Sequence, residues 1–144
     1  MIKPGKLILI RHAPVKKKEG FLPEHNPDAI INKDEFKNLS RNIPEDSVWH
    51  VSPLRRTMQT ADGLSKYVRN RKTIIDGNLV EQNFGNWSGM RISEVWKELR
   101  DNESQHNFSF LCPEISSPNG DSFLDQCKPI SSWIENLNFH ESQV

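Results

Sequence analysis

Leu7-Ile8-Leu9-Ile10-Arg11-His12-Ala13 is the stretch from which the rest of the chain reads. Four apolar residues run without a polar break, with Gly5 before them and Pro14 after Ala13. The run is too short for a helix of its own and lacks the alternation of a half-buried strand. It predicts a strand buried on both faces, as in the middle of a parallel sheet. In open α/β sheets the ligand crevice forms at the carboxyl ends of such strands. Arg11 and His12 stand at that end, where an arginine can hold an anion beside an imidazole nucleophile.

Working outward, the 144 residues predict one domain over 1–144, long enough for a real core. Lys plus Arg and Asp plus Glu number 19 each, so formal net charge is zero. That excludes bulk electrostatic attraction to nucleic acid or to an anionic membrane. The opening Met-Ile-Lys-Pro-Gly-Lys has no apolar core of a signal peptide, and no run reaches the roughly 20 apolar residues of a membrane span. Two cysteines, Cys112 and Cys127, fit reduced thiols, and with them a cytoplasmic location. Hydrophobic content is only 35% and mean hydropathy is −0.69. Typical domains hold about 45–50% apolar residues with glycine counted, so the supply is thin for an α/β core.

After Pro14 the chain is polar and broken by Pro23, Pro27 and Pro44, with a short helix predicted at 34–39. Lys16, Lys17 and Lys18 read as a solvated face, with attraction of phosphate as the alternative from their place just beyond His12. Val48-Trp49-His50-Val51 predicts a second strand, and Met58, Ala61, Leu64 and Val68 predict a helix over 54–67. Arg69, Arg71 and Lys72 would complement that helix's carboxyl end. Arg55 and Arg56 oppose the dipole at its start, which makes sense if an anion sits beside them. Thr73-Ile74-Ile75 predicts a third strand and Asp76-Gly77-Asn78 a turn.

The stretch from Leu79 to Gly89 predicts a tightly shaped loop whose one acid is Glu81. Ile92, Val95, Trp96 and Leu99 predict an amphipathic helix on the sheet. Residues 101–118 read as a variable connection, with His106 in it. Asn119-Gly120-Asp121-Ser122 supplies a turn and an N-cap. Phe123, Cys127, Ile130, Ile134 and Leu137 continue a helical stripe that Pro129 should kink or restart.

Arg11, His12, Arg55, Arg56 and Glu81 thus fall on three connections that a parallel sheet can bring to one edge. The set suits phosphoryl transfer: imidazole attacks phosphorus, arginines neutralise the oxygens, and a carboxylic acid protonates the leaving alcohol.

These residues also carry a resemblance. Arg11-His12-Ala13 resembles the Arg-His-Gly signature of the histidine phosphatase (phosphoglycerate mutase-like) superfamily. Ser52-Pro53-Leu54-Arg55-Arg56-Thr57-Met58-Gln59-Thr60-Ala61 is similar to its Ser-Pro-Leu-x-Arg-x-x-Gln-Thr-Ala motif. Leu79-Val80-Glu81 through Phe84-Gly85-Asn86-Trp87-Ser88-Gly89 resembles its Leu-x-Glu…Phe-Gly-x-Trp-x-Gly block, and Gly120-Asp121-Ser122-Phe123 its Gly-Glu-Ser-Phe. The resemblance implies a three-layer α/β/α fold with a mostly parallel sheet. It implies His12 as the phosphorylated nucleophile, Arg11 and Arg56 as phosphoryl ligands, Glu81 as proton donor, and no metal or other cofactor. Arg55 remains a further substrate-binding candidate from its place at the helix start.

Two departures follow. Ala13 stands where the family has glycine. The family's second histidine, on a strand beside the first, has no counterpart here: neither His140 nor His50 matches its motif. The expectation is therefore a chain lacking the family's C-terminal strand–helix part, with phosphomonoesterase activity on a small-molecule phosphate ester impaired in the 144 residues themselves. A non-catalytic phosphate-binding remnant and a mutase are the alternatives. The short connection between Gly89 and Gly120 leaves little material for a mutase's water-excluding lid.

Overall fold

The structure, a computed structural model, describes residues 5–100, 112–137 and 139–144, with Arg100 described by its backbone alone. The chain forms two compact units. One comprises Met1–Lys16, Asn26–Val80 and Ser132–Val144; the other comprises Lys17–His25 and Glu81–Ser131. His106, and most of the connection read at 101–118, lie outside the described residues.

The first unit holds a parallel sheet. Val48–Val51 (β1) and Lys72–Ile75 (β2), rich in β-branched residues, pair in parallel with Trp49 opposite Thr73 and Val51 opposite Ile75. On β1's other edge lie residues 142–144: the Val48 amide donates to the Ser142 carbonyl at 3.0 Å and the His50 amide to that of Val144 at 2.7 Å. Gln143 turns its opposite edge to the chain's first strand, donating to the Lys6 carbonyl at 2.8 Å and accepting from Ile8 at 2.9 Å. The spatial order is residues 6–8, 142–144, β1, β2, all parallel. This is a mixed α/β fold.

That order corrects the expectation of a strand over 7–10 buried on both faces. The ladder on this segment is a single bridge at Leu7, with Gln143 bonded to Lys6 and Ile8. Leu9 is 79% exposed, while Ile10 packs on the core.

That core joins Ala13, Phe36, Ile43, Trp49, Val51, Leu64 and Val68. Each buried side chain of this size contributes about 1.5–3 kcal/mol relative to exposure. Phe36 comes from Lys33–Ser40 (α1), whose Asn32 cap accepts from the Asp34 and Glu35 amides at 3.1 and 3.3 Å. Leu64 closes Arg55–Leu64 (α2). Gly63 of α2 lies so close to the Phe36 ring that a Cβ there would strike it. The expected helix over 54–67 thus ends earlier. Val68 keeps its buried place through a turn in which its amide bonds the Leu64 carbonyl at 3.2 Å. Arg69 and Arg71 consequently do not cap this helix. Arg69 pairs with Asp46 at 2.9 Å and Arg71 with Glu141, while Lys72 begins β2.

In the second unit, Ile92–Arg100 (α3) buries Val95 and Leu99 against Leu22 and Trp87. The apolar face expected of α3 is present and packs on residues of its own unit. Phe123–Glu135 (α4) runs through Pro129 as one helix, so of the expected kink or restart the restart does not occur. Proline's fixed φ is itself helical, so the missing amide costs one internal bond without ending the helix. The predicted stripe also shifts, since Trp133 is buried while Phe123 and Ile134 are exposed. Among the described residues no helix is long and apolar enough to cross a membrane.

Candidate active site

Arg11 and His12 leave the first strand just past the ladder. Arg11 is exposed, and His12 is half-buried between it and the buried Ala13. The His12 ring is turned back on its own chain, with Nδ1 2.7 Å from the Ala13 carbonyl oxygen. A carbonyl oxygen only accepts, so Nδ1 carries the proton of the neutral ring and Nε2 carries the lone pair. In that tautomer the outward-facing ring nitrogen, Nε2, is the one able to accept a proton or a bond.

The peptide after His12 is fastened to α2. The Ala13 amide donates to the Thr60 hydroxyl at 2.8 Å, and that hydroxyl donates to the Arg56 carbonyl one turn earlier at 2.7 Å. Pro14 and Val15 are then gripped by residues 29–30: Ile30 donates to the Pro14 carbonyl at 2.6 Å, and Val15 bridges Ala29 antiparallel. Residues 26–29 are in turn held by α2. The Asn26 side chain accepts from the Arg55 amide at 2.8 Å, and the Gln59 side chain accepts from Ala29 at 2.7 Å. Asp28 receives both the Gln59 amide group at 2.7 Å and the Arg55 guanidinium at 2.6 Å.

The two arginines at the start of α2 therefore differ. Arg56 is 6% exposed, on the same helix face as Thr60 four residues later. Arg55 points outward and is engaged with Asp28. Leu54, the extended residue before this helix, offers no side-chain cap; the Arg55 amide is taken by Asn26 instead, and the Thr57 and Met58 amides bond the Leu54 carbonyl.

Glu81 is exposed and opens the long segment of the second unit, directly after a 3-10 turn at Gly77–Leu79. The loop behind it is clasped to residues 118–121. Asp121 donates its amide to the Asn83 carbonyl at 2.8 Å and accepts the Asn83 amide on its carboxylate at 3.3 Å, while Gln82 donates to the Asp121 carbonyl at 3.0 Å. Asn86 donates to the Pro118 carbonyl at 2.9 Å. Gly85, at φ +47°, and Gly120 touch main chain on both sides: a Cβ on Gly120 would lie 2.6 Å from the Asn83 oxygen and 2.8 Å from the Gly85 nitrogen. Two of the four sequence blocks thus meet as one folded piece that carries Glu81.

Among the described residues no group of three His, Cys, Asp or Glu side chains is gathered as a metal site would require. Reading the sequence singled out His12, Arg11, Arg55, Arg56 and Glu81 but missed Thr60, Gln59 and Asp28. Thr60 had a signal, lying one helical turn past Arg56 on the same face. Asp28 had none, since an acid in a proline-broken loop looks like any other.

The sequence pattern of the histidine phosphatase superfamily (branch 1) matches residues 7–143. The chain belongs to this family. It is 34% identical over 101 residues to phosphoserine phosphatase 1 of Hydrogenobacter thermophilus, a match covering 65% of this chain and 46% of that protein. The chain thus matches less than half the length of this relative. Among solved structures, a protein proposed to be an alpha-ribazole-5'-P phosphatase from Escherichia coli superimposes with a TM-score of 0.70 at 18% identity, over 97% of this chain and 72% of that one. A mycobacterial glucosyl-3-phosphoglycerate phosphatase gives 0.68 at 16% identity, over 94% and 64%. A Thermus thermophilus phosphoglycerate mutase gives 0.64 at 19% identity, over 95% and 74%. These structural likenesses establish the histidine phosphatase fold.

Proposed function

We propose that this histidine phosphatase domain cleaves a small phosphate monoester through a phosphohistidine on His12. The observation that carries the reading is the His12 Nδ1 contact to the Ala13 carbonyl at 2.7 Å, which leaves the lone pair on Nε2. In the first step Nε2 forms a bond to phosphorus, the ester P–O bond breaks, and Glu81 gives its proton to the departing oxygen. Arg11 and Arg56 neutralise the phosphoryl oxygens; each such contact is worth about 100- to 1000-fold in rate. Water then cleaves the N–P bond and releases inorganic phosphate. Arg55, engaged by Asp28, is assigned to the scaffold instead of the phosphate.

Within the family a second histidine serves the same phosphoryl group, and neither His50 nor His140 matches its motif. His50 is committed to Trp133 and Gln143, and His140 is exposed on a segment without the motif. The 144 residues alone are therefore expected to accept a phosphoryl group and to turn over an aryl phosphate poorly. The test is acid-labile labelling by a labelled aryl phosphate. Label on the wild-type chain that His12→Ala abolishes supports the reading, and label that survives His12→Ala overturns it.

A further inference from the structure

Outside the residues assigned above, one histidine is wired into the sheet through both ring nitrogens. His50, in β1, has 13% of its side chain exposed. The indole Nε1 of Trp133 on α4 donates to its Nδ1 at 3.2 Å, and the two rings meet edge to face at 5.5 Å. An indole nitrogen only donates, so Nδ1 holds a lone pair and the ring proton is on Nε2. Nε2 passes that proton as a hydrogen bond to Oε1 of Gln143 at 2.9 Å.

Gln143 is 2% exposed, and it is the residue whose main chain bonds Lys6 and Ile8 on one side while bridging Val48 on the other. The chain of contacts Trp133–His50–Gln143 therefore joins α4, β1 and the bridged segment at residues 6–8 that precedes Arg11 and His12. Asp76, just after β2, is the one charged group among the described residues within ion-pair distance of His50: its Oδ2 lies 4.0 Å from Nδ1, while Oδ1 accepts from the Asn78 amide. From α4 the ring is met by uncharged Trp133. On the terminal segment, Glu141 is taken up by Arg71.

We propose that His50 is a proton-operated positioning residue. Neutral, it ties α4 and Gln143 to β1. A proton taken from solvent onto Nδ1 sets N–H against the Trp133 N–H and leaves the Asp76 carboxylate as the nearest acceptor. The ring trades Trp133 for Asp76, and the movement passes through Gln143 to residues 6–8. The device rests on no assumption about catalysis.

Nitrogen-15 and proton NMR of the full chain tests it. At neutral pH the His50 ring is expected to show the Nε2–H tautomer. On acidification the Trp133 indole signal and the Ile8 amide should shift together with the His50 ring, at one midpoint. His50→Gln should remove the coupled shift. Trp133→Phe keeps an aromatic ring in the same place and decides the matter should His50→Gln fail to fold: it should uncouple the Ile8 amide while His50 still titrates. A neutral Nδ1–H tautomer overturns the proposal. So do Trp133 and Ile8 signals that stay fixed while His50 titrates, or a chain that unfolds before His50 takes its proton.

Discussion

The hydroxyl of Thr60 accepts the main-chain amide of Ala13 at 2.8 Å and donates to the carbonyl of Arg56 at 2.7 Å. One side chain thus fixes the peptide beside His12 to the turn of helix that presents Arg56. Thr60→Val keeps the shape and leaves a buried amide unpaired, which costs about 1–3 kcal/mol. Urea denaturation should show that loss, with Thr60→Ser restoring most of it. Labelling of His12 should fall in Thr60→Val even where the chain is still folded, because the imidazole is no longer held on its carbonyl. Wild-type stability in Thr60→Val would show that the link is dispensable.

The neighbouring arginines should separate sharply. The Arg55–Asp28 pair is exposed on both sides, at 59% and 54% of the side chains, so its net worth is below about 1 kcal/mol. Arg55→Ala should leave labelling of His12 nearly unchanged. Arg56 is 6% exposed, and Arg56→Ala should slow labelling by about 100-fold or more. Measuring the labelling rate of both variants decides the assignment; a larger loss in Arg55→Ala would reverse it.

Gly120→Ala should be among the most damaging small substitutions in the second unit. The added methyl would lie 2.6 Å from the Asn83 oxygen and 2.8 Å from the Gly85 nitrogen, and neither main-chain atom can swing aside. Overpacking of this kind costs about 1–3 kcal/mol. Gly20→Ala is the contrast: its φ is +77° but its Cβ meets open space, so only the cost of the left-handed backbone remains. Thermal unfolding of the two variants should rank them in that order, and equal losses would mean that the clasp between residues 83–86 and 118–121 has room to give.

How much of this could be read from the residues depends on where the information lies. β1 and β2 were legible because short β-branched runs bounded by turns have few other uses, as was the Asn119–Ser122 turn before α4. The run at 7–10 reads as a strand buried on both faces, whereas only Leu7 is bridged and Leu9 is exposed. An unbroken apolar stretch states a demand for burial without naming the partner that meets it, and here the ladder stops at Ile8. Val68 extended the helical spacing of α2 but is buried from a turn, a distinction that spacing alone does not hold. Arg55 and Arg56 were indistinguishable as neighbours, and only the direction of the helix face turned one toward Thr60 and the other toward Asp28. His12, Arg56 and Glu81 stand out because each sits in a block that resembles one of the family's motifs. Gln59 lies in the same motif as Arg56, whereas Asp28, which it bonds along with Arg55, sits in a proline-broken loop and leaves no local pattern.

The start of α4 gives a prediction in pH. Ser122 and Asp125 cap it reciprocally: the Asp125 amide donates to the Ser122 hydroxyl oxygen at 3.1 Å, and the Ser122 amide and hydroxyl donate to the Asp125 carboxylate at 3.1 and 2.7 Å. The Ser122 hydroxyl, then its amide, hold the Asp125 carboxyl below the usual carboxylate range. A carboxyl with a lowered folded-state value binds fewer protons folded than unfolded. Its contribution to stability is therefore present above about pH 4 and fades as pH falls through the lower folded value. Ser122→Ala removes the cap, at a cost of about 1 kcal/mol near neutral pH. It also removes the hydroxyl, the larger of the two donors that lower the carboxyl, while the main-chain amide at 122 remains, so the variant's disadvantage should shrink as the medium is acidified below about pH 4. Urea midpoints of the wild type and Ser122→Ala across that range should converge toward low pH. Midpoints that stay parallel would mean the carboxylate contributes nothing through Ser122, and the cap would then rest on the hydroxyl alone.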